Sequence, residues 1–139
     1  VEHRVRLLGR ISDEELELLY AGSDLFVMPN VPVAGDMEGF GVVMLEAGLS
    51  GLPTIASSLE GITDVVAEGA NGHLVTSGDA WGFSEAIMRY YHDPNGLRAA
   101  RSRAAAYVAE NFSWQAVANT YVDVLRSVAS PASAEEALV

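Results

Sequence analysis

Two carboxylates bracket a glycine-flanked aromatic in the stretch "EGFGVVMLE", residues 38–46. Glu38 stands just before Gly39, Phe40 and Gly41, and Glu46 follows Val42, Val43, Met44 and Leu45. The run "GVVMLEAGLS" reads as a short helix, with Gly51 placed to end it. The glycines then lie at the mouth of that helix. The first N–H groups of a helix have no carbonyl partner within it, and the helix dipole adds about half a positive charge there. Such a terminus holds an anion, most often a phosphate, and glycines let a ligand approach the backbone closely. Glu46, a turn or so inside the helix, cannot face a phosphate without repulsion. It can accept two hydrogen bonds from a vicinal diol beside the phosphate, such as a ribose. Glu38, on the other side, can meet whatever hangs from the far phosphate. Amides for a pyrophosphate, one acid for a ribose and one for a second sugar describe a nucleotide diphosphate sugar.

Plainer readings stand beside these. Glu38 can be a favourable charge at a helix N-terminus. Glu46 interrupts the apolar run "VVMLEAGL" and is expected to be partly buried, which would require partners. Phe40 fits a core position as well as a ligand contact, and Asp36 fits either a turn cap or a sugar-hydroxyl contact. "GFGVVM" also approaches the dinucleotide fingerprint, with Glu60 downstream. Met44 replaces its third glycine, and about ten residues rather than a tight turn separate the glycines from the preceding strand.

The elements that position this stretch follow from patterning. Residues 3–8, "HRVRLL", alternate as a strand ending at Gly9. "ISDEELELLYAGS" reads as a helix opened by a Ser12–Glu15 capping box, with Leu16, Leu19 and Tyr20 on one face. "DLFVMP", 24–29, suits a strand buried on both faces. "PTIAS" and "GHLVT" are further strands, and "GITDVVAEG" is a short helix closed by Gly69. Three helices complete the chain: from Asp79 to about His92, from Pro94 with Asp93 as N-cap, and from the N-cap Ser113 to about Ala129. Trp114, Val117, Ala118, Tyr121, Val122 and Leu125 form an amphipathic stripe on the last, for which core packing is preferred over exposure. Residues 130–139 read as a frayed tail. Alternating strands and helices imply an α/β fold, a Rossmann-like parallel sheet with flanking helices. Ligands of such sheets sit outside the carboxyl ends of the strands, where the loop carrying Glu38 departs.

Composition narrows the function. The 139 residues suit one domain and are half hydrophobic, with no cysteine to form a disulfide or thiolate metal site. A formal charge of −11 argues against a nucleic-acid partner, though not against a small phosphorylated ligand held by backbone amides. No apolar run is long enough for a membrane helix. No signal-peptide pattern opens the chain, and the expected location is cytoplasmic. His3, His73 and His92 have no partner at a telling spacing.

The chain resembles the C-terminal, donor-binding domain of retaining GT-B glycosyltransferases, the "group 1" class (family four). The resemblance rests on "VRLLG", "LLYAGSDLFVMPN", "EGFGVVMLEAGLSGLPTIAS", "ANGHLV" and "FSW" in that order. It implies a partial nucleotide-sugar-binding domain over residues 1–129. Glu38, as the catalytic residue, would contact the donor sugar near its 3-hydroxyl, and Glu46 would grip the ribose diol. Gly39, Phe40, Gly41, Val42 and Val43 would lie along the phosphates and the sugar–nucleoside region, and Leu8 and Gly9 beside the nucleobase. The implied donor is a UDP-, GDP- or ADP-sugar, and the implied reaction retains anomeric configuration with no cofactor and no metal. The acceptor, a sugar or lipid, would be bound by an N-terminal domain outside this chain, and the fragment would be inactive alone. Two departures from the family are the long linker "PNVPVAGDMEGFG" and "EGITD" at 60–64.

Other readings remain at this stage. One is a non-catalytic association module of the same shape. Another is a different GT-B enzyme, although a phosphorylase would need a cofactor lysine and all eight basic residues here are arginine. The usual sheet order of doubly wound folds, 3-2-1-4-5-6, would also leave "HRVRLL" and "DLFVMP" apart. Either the first strand then detaches or pairs elsewhere, or the open edge of "DLFVMP" takes another chain as a homodimer or strand swap.

Overall fold

The structure, a computed structural model, describes residues 2–35 and 41–129. Helix α1, Asp13–Gly22, opens with the expected capping box. The Ser12 hydroxyl accepts from the Glu15 N–H at 3.2 Å, and the Glu15 carboxylate accepts from the Ser12 N–H at 2.9 Å. Strand β1, Phe26–Met28, leads through the long loop to α2, Val42–Leu49. Gly51, at φ 78°, sits just beyond the Ser50 C-cap. Then come β2, Thr54–Ser57, α3, Ile62–Val65, and β3, Gly72–Val75. Helices α4, Ala80–His92, α5, Pro94–Phe112, and α6, Trp114–Ala129, finish the chain.

The three strands form one parallel sheet in the order β1-β2-β3. Strand alternation divides the core between its faces. Met28 and Ala56 face the side covered by Met44 of α2 and by Ile62 and Val65 of α3. Ile55 and Val75 face Phe83, Ala86 and Tyr90 of α4 and Ala100 of α5. All four residues of β2 are buried, as expected of a central parallel strand.

Four expectations are corrected. Residues 3–8 do not form a strand: Glu2–Arg4 is a 3-10 turn, and the chain runs on as coil with Leu7 97 % exposed. The sheet order explains this, because among the described residues no strand beside β1 is available to pair with the segment. For the same reason β1 is an edge, not buried on both faces, and Val27 is exposed on it. Helix α3 stops at Val65, well short of Gly69. The buried Asn71 clips its end by donating to the Val65 carbonyl at 2.9 Å and accepting from the Ala67 N–H at 2.7 Å. The apolar stripe of α6 is not core: none of its residues is buried, and Trp114 is 91 % exposed. The tail, 130–139, lies outside the described residues.

The outer edge of β3 is closed by a side chain. The Leu74 N–H points away from β2 and donates to Glu68 at 2.9 Å, while His73 Nδ1 donates to the other Glu68 oxygen at 2.5 Å. A carboxylate on free strand amides blocks edge-to-edge pairing. Partial burial raises the Glu68 pKa. The bonds from His73 and Leu74 and the charges of His73 and Arg89 outweigh that, so it lies below its ordinary value. A lowered carboxylate pKa stabilises the fold above the unfolded-state value, and the benefit fades as pH falls through the folded value. Because the side chain is 60 % exposed, solvent screens the pair. Glu68→Ala should cost about 0.5–1 kcal/mol at neutral pH. The cost should shrink once the pH is below the carboxylate range, as read by urea denaturation at the two pH values.

Candidate functional site

Helix α2 is wedged in place along its length. Met44 is 1 % exposed among Met28, Ala56, Ile62 and Val65, and burying such a side chain contributes about 1.5–3 kcal/mol. Ala47 is fully buried with Tyr20 and Leu52. Gly48 lies against α5 so closely that a Cβ there would stand 2.6 Å from Val108 Cγ2. These contacts aim the N-terminus of the helix.

The N-cap of α2 is Gly41, left-handed at φ 57°, ψ 56°, and among the described residues no side chain caps that terminus. The Gly41 carbonyl accepts the Met44 N–H at 2.9 Å. Val42 and Val43 begin the helix, where N–H groups have no partner within the helix itself, and both side chains are exposed. No acidic residue occupies the first turn, so nothing in it repels an anion. Gly41 itself is buried, and the Met44 methyl lies where its Cβ would be.

Glu46, one turn along α2, is exposed rather than partly buried as expected. It rides on the outer side of a helix whose Met44 and Ala47 face inward. Its described side-chain partner is Tyr20 of α1, whose hydroxyl donates to Glu46 Oε2 at 3.4 Å. Tyr20 thereby joins the candidate site, whereas the sequence places it only on the packing face of α1. Its phenol sits at the inner end of an apolar face, which was the available signal. Burial, then the Glu46 charge and their shared bond, push the Tyr20 pKa up.

The remaining candidates are less fully placed. Asp36, Glu38, Gly39 and Phe40 lie outside the described residues. Leu8 and Gly9 are exposed in the coil off the sheet, Gly9 at φ 65°. Beyond the end of β1, the Asn30 carbonyl accepts from the Ser77 hydroxyl at 2.9 Å, tying this loop to the one after β3. His73, expected to be unpaired, bonds to Glu68 at the far edge of the sheet. An apolar groove of about 420 Å³, lined by Val27, Pro29, Phe83, Ile87 and Met88, lies on the α4 side of the sheet, opposite α2. It holds no acid and belongs to the open edge of β1. Among the described residues, no three histidines or acids cluster as metal ligands, and no helix is long and apolar enough to cross a membrane.

A helix N-terminus beyond a parallel strand can hold an anion, and here a carboxylate stands one turn inside it. The pattern of Glycosyl transferases group 1 matches residues 1–110. The chain belongs to this family. A phosphatidyl-myo-inositol mannosyltransferase of Mycobacterium leprae is 31 % identical over 96 % of this chain and 34 % of its own length. Its counterpart from Propionibacterium freudenreichii is 35 % identical over 81 % of this chain and 28 % of its own. Among solved structures, Anabaena HepE in complex with UDP superposes with a TM-score of 0.75 at 28 % identity, covering 91 % of this chain and 33 % of that one. Sucrose-phosphate synthase from Thermosynechococcus elongatus gives 0.74 at 31 %, covering 91 % and 30 %. The fold is thus the Rossmann-like α/β sheet found in glycosyltransferases of the GT-B type. The chain spans about a third of the length of the relatives it matches.

Gly41 gives a direct check on the geometry of this terminus. A left-handed non-glycine residue costs about 1–2 kcal/mol, and here the Met44 methyl must also move. Gly41→Ala should lower stability by at least about 1 kcal/mol. Gly35→Ala, also at positive φ but with open space around its Cβ, should cost less, as read by paired denaturation curves.

Proposed function

We propose that this chain is the donor-binding part of a retaining glycosyltransferase that moves a sugar from a nucleotide diphosphate sugar to an acceptor. The observation that carries this reading is the N-terminus of α2, which among the described residues has no side-chain cap and no acid in its first turn, with Glu46 one turn inside it. The amides of Val42 and Val43, with Gly41, would receive the diphosphate, and Glu46 Oε1 would accept from the ribose diol. Glu38, Gly39 and Phe40 would complete the sugar side, with Glu38 contacting the donor sugar, and Leu8 and Gly9 would border the nucleobase. Support comes from the order of family motifs along the chain. It also comes from HepE, whose structures include complexes with UDP and with UDP-glucose.

In the proposed reaction the bond from the anomeric carbon to the diphosphate oxygen breaks on the face from which the acceptor hydroxyl attacks. The new glycosidic bond keeps the configuration, and the acceptor proton passes to the departing diphosphate. This chain's own part is to bind and orient the donor and to stabilise the diphosphate as its charge grows. The acceptor, a sugar or lipid, would be held by a further domain, in a cytoplasmic setting. The chain alone is expected to be inactive in transfer.

The alternative is a non-catalytic association module, favoured by the exposed stripe of α6 with Trp114, Tyr121, Leu125 and Val128. Calorimetric titration with UDP, GDP and ADP separates the two. A charged hydrogen-bond pair to ribose is worth about 1.5–3 kcal/mol. Binding of one nucleotide should therefore weaken at least about tenfold in Glu46→Ala. No binding, or binding indifferent to that substitution, would support the module.

A further inference from the structure

We infer that Tyr20 is a positioning residue for the donor site: it fixes the Glu46 carboxylate so that one oxygen is occupied and the other is presented to the ribose diol. The inference rests on the donor-binding reading above. Its geometry is independent of it. Glu46 is an exposed side chain on a helix surface, and ordering such a glutamate costs rotamer entropy. Tyr20 is the opposite, a buried ring that cannot wander. It stands edge-on to Phe26 with centroids 6.2 Å apart and an interplanar angle of 66°, and it packs with Ala47 and Leu52.

The backbone beneath Tyr20 is held as well. Ser23, the C-cap of α1, donates its N–H to the Tyr20 carbonyl at 3.4 Å and its hydroxyl to the Leu19 carbonyl at 2.6 Å. Arg101 of α5 donates to the Ser23 carbonyl at 2.5 Å. The end of α1 is thus clamped to α5, the same helix that seats α2 through Val108. Tyr20 and Glu46 are placed by a shared support, 26 residues apart in sequence.

The chemistry explains why a phenol occupies this apolar cluster. A phenylalanine would pack equally well, and a buried tyrosine hydroxyl needs a polar partner. Glu46 supplies it. A tyrosine has one proton to give, so it engages only Oε2 and leaves Oε1 to accept from a ligand. The bond spans 3.4 Å.

The test is binding of UDP, GDP and ADP, each against its 2′,3′-dideoxy counterpart, by the protein and by its Tyr20→Phe, Glu46→Ala and doubly substituted forms. Tyr20→Phe keeps the ring, and a thermal melt confirms that it folds. Loss of the bond behind the carboxylate, at the net worth of an ordinary hydrogen bond, predicts about three- to tenfold weaker binding of the preferred ribonucleotide. Binding of the dideoxy form should not change, and Tyr20→Phe should have no further effect once Glu46 is alanine. Equal weakening of both nucleotide forms, or none of the ribonucleotide while Glu46→Ala weakens it, overturns the positioning role and leaves the donor site standing. Nucleotide binding that is absent, or unaffected by Glu46→Ala, overturns both.

Discussion

The seating of α2 between the sheet and α5 is the constraint on which the rest depends. A helix terminus binds an anion only if its amides are uncapped and held in a fixed direction. Here Met44 fixes the helix on the sheet, Ala47 fixes it beside α1, and Gly48 lets α5 approach within contact of its backbone. Gly41 then turns the incoming loop through a left-handed conformation without adding a side chain at the mouth. Each of these residues is small, or flexible in the case of Met44. That choice permits close packing of a short helix while leaving its outer face exposed.

The same seating sets the electrostatics. The chain is acidic overall, with a formal charge of −11, which disfavours an anionic ligand at long range. The site answers with local devices: amides that carry partial positive charge, no acid in the first turn, and Glu46 held aside by Tyr20. The acidic surplus is put to structural use elsewhere, at the α1 capping box and in the closure of the β3 edge by Glu68. The opposite edge, β1, has no comparable guard. Val27 is exposed there beside the apolar groove on α4.

Much of this was legible in the sequence because local rules and tertiary context agree. Ser12 and Glu15, Asp93 and Pro94, Asp79, Ser113 and Gly51 mark helix ends where side-chain hydrogen bonds or glycine conformation decide the matter locally. The strand expected over 3–8 failed because strand formation needs a neighbour, and periodicity says nothing about whether one is present. The burial of α6 failed for the same reason: an apolar stripe shows that a helix can be covered, not that it is. The early end of α3 depends on a buried asparagine six residues beyond Val65, outside any short-range helix rule. At the site, the spacing of Gly41 and Glu46 was readable from helix geometry. The bond to Tyr20 was not, because it joins helices that only the fold brings together.

The central claim is that the N-terminus of α2 receives the phosphates while Glu46 meets the ribose. The most direct measurement is a residue-resolved amide NMR map of the labelled protein saturated with the nucleotide it prefers. The largest shifts should fall on the backbone amides of Gly41, Val42 and Val43, with smaller ones at Glu46 and Tyr20 and none along Phe83, Ile87 and Met88. Shifts centred on the groove beside α4, or a well-dispersed spectrum that no nucleotide perturbs, would contradict it.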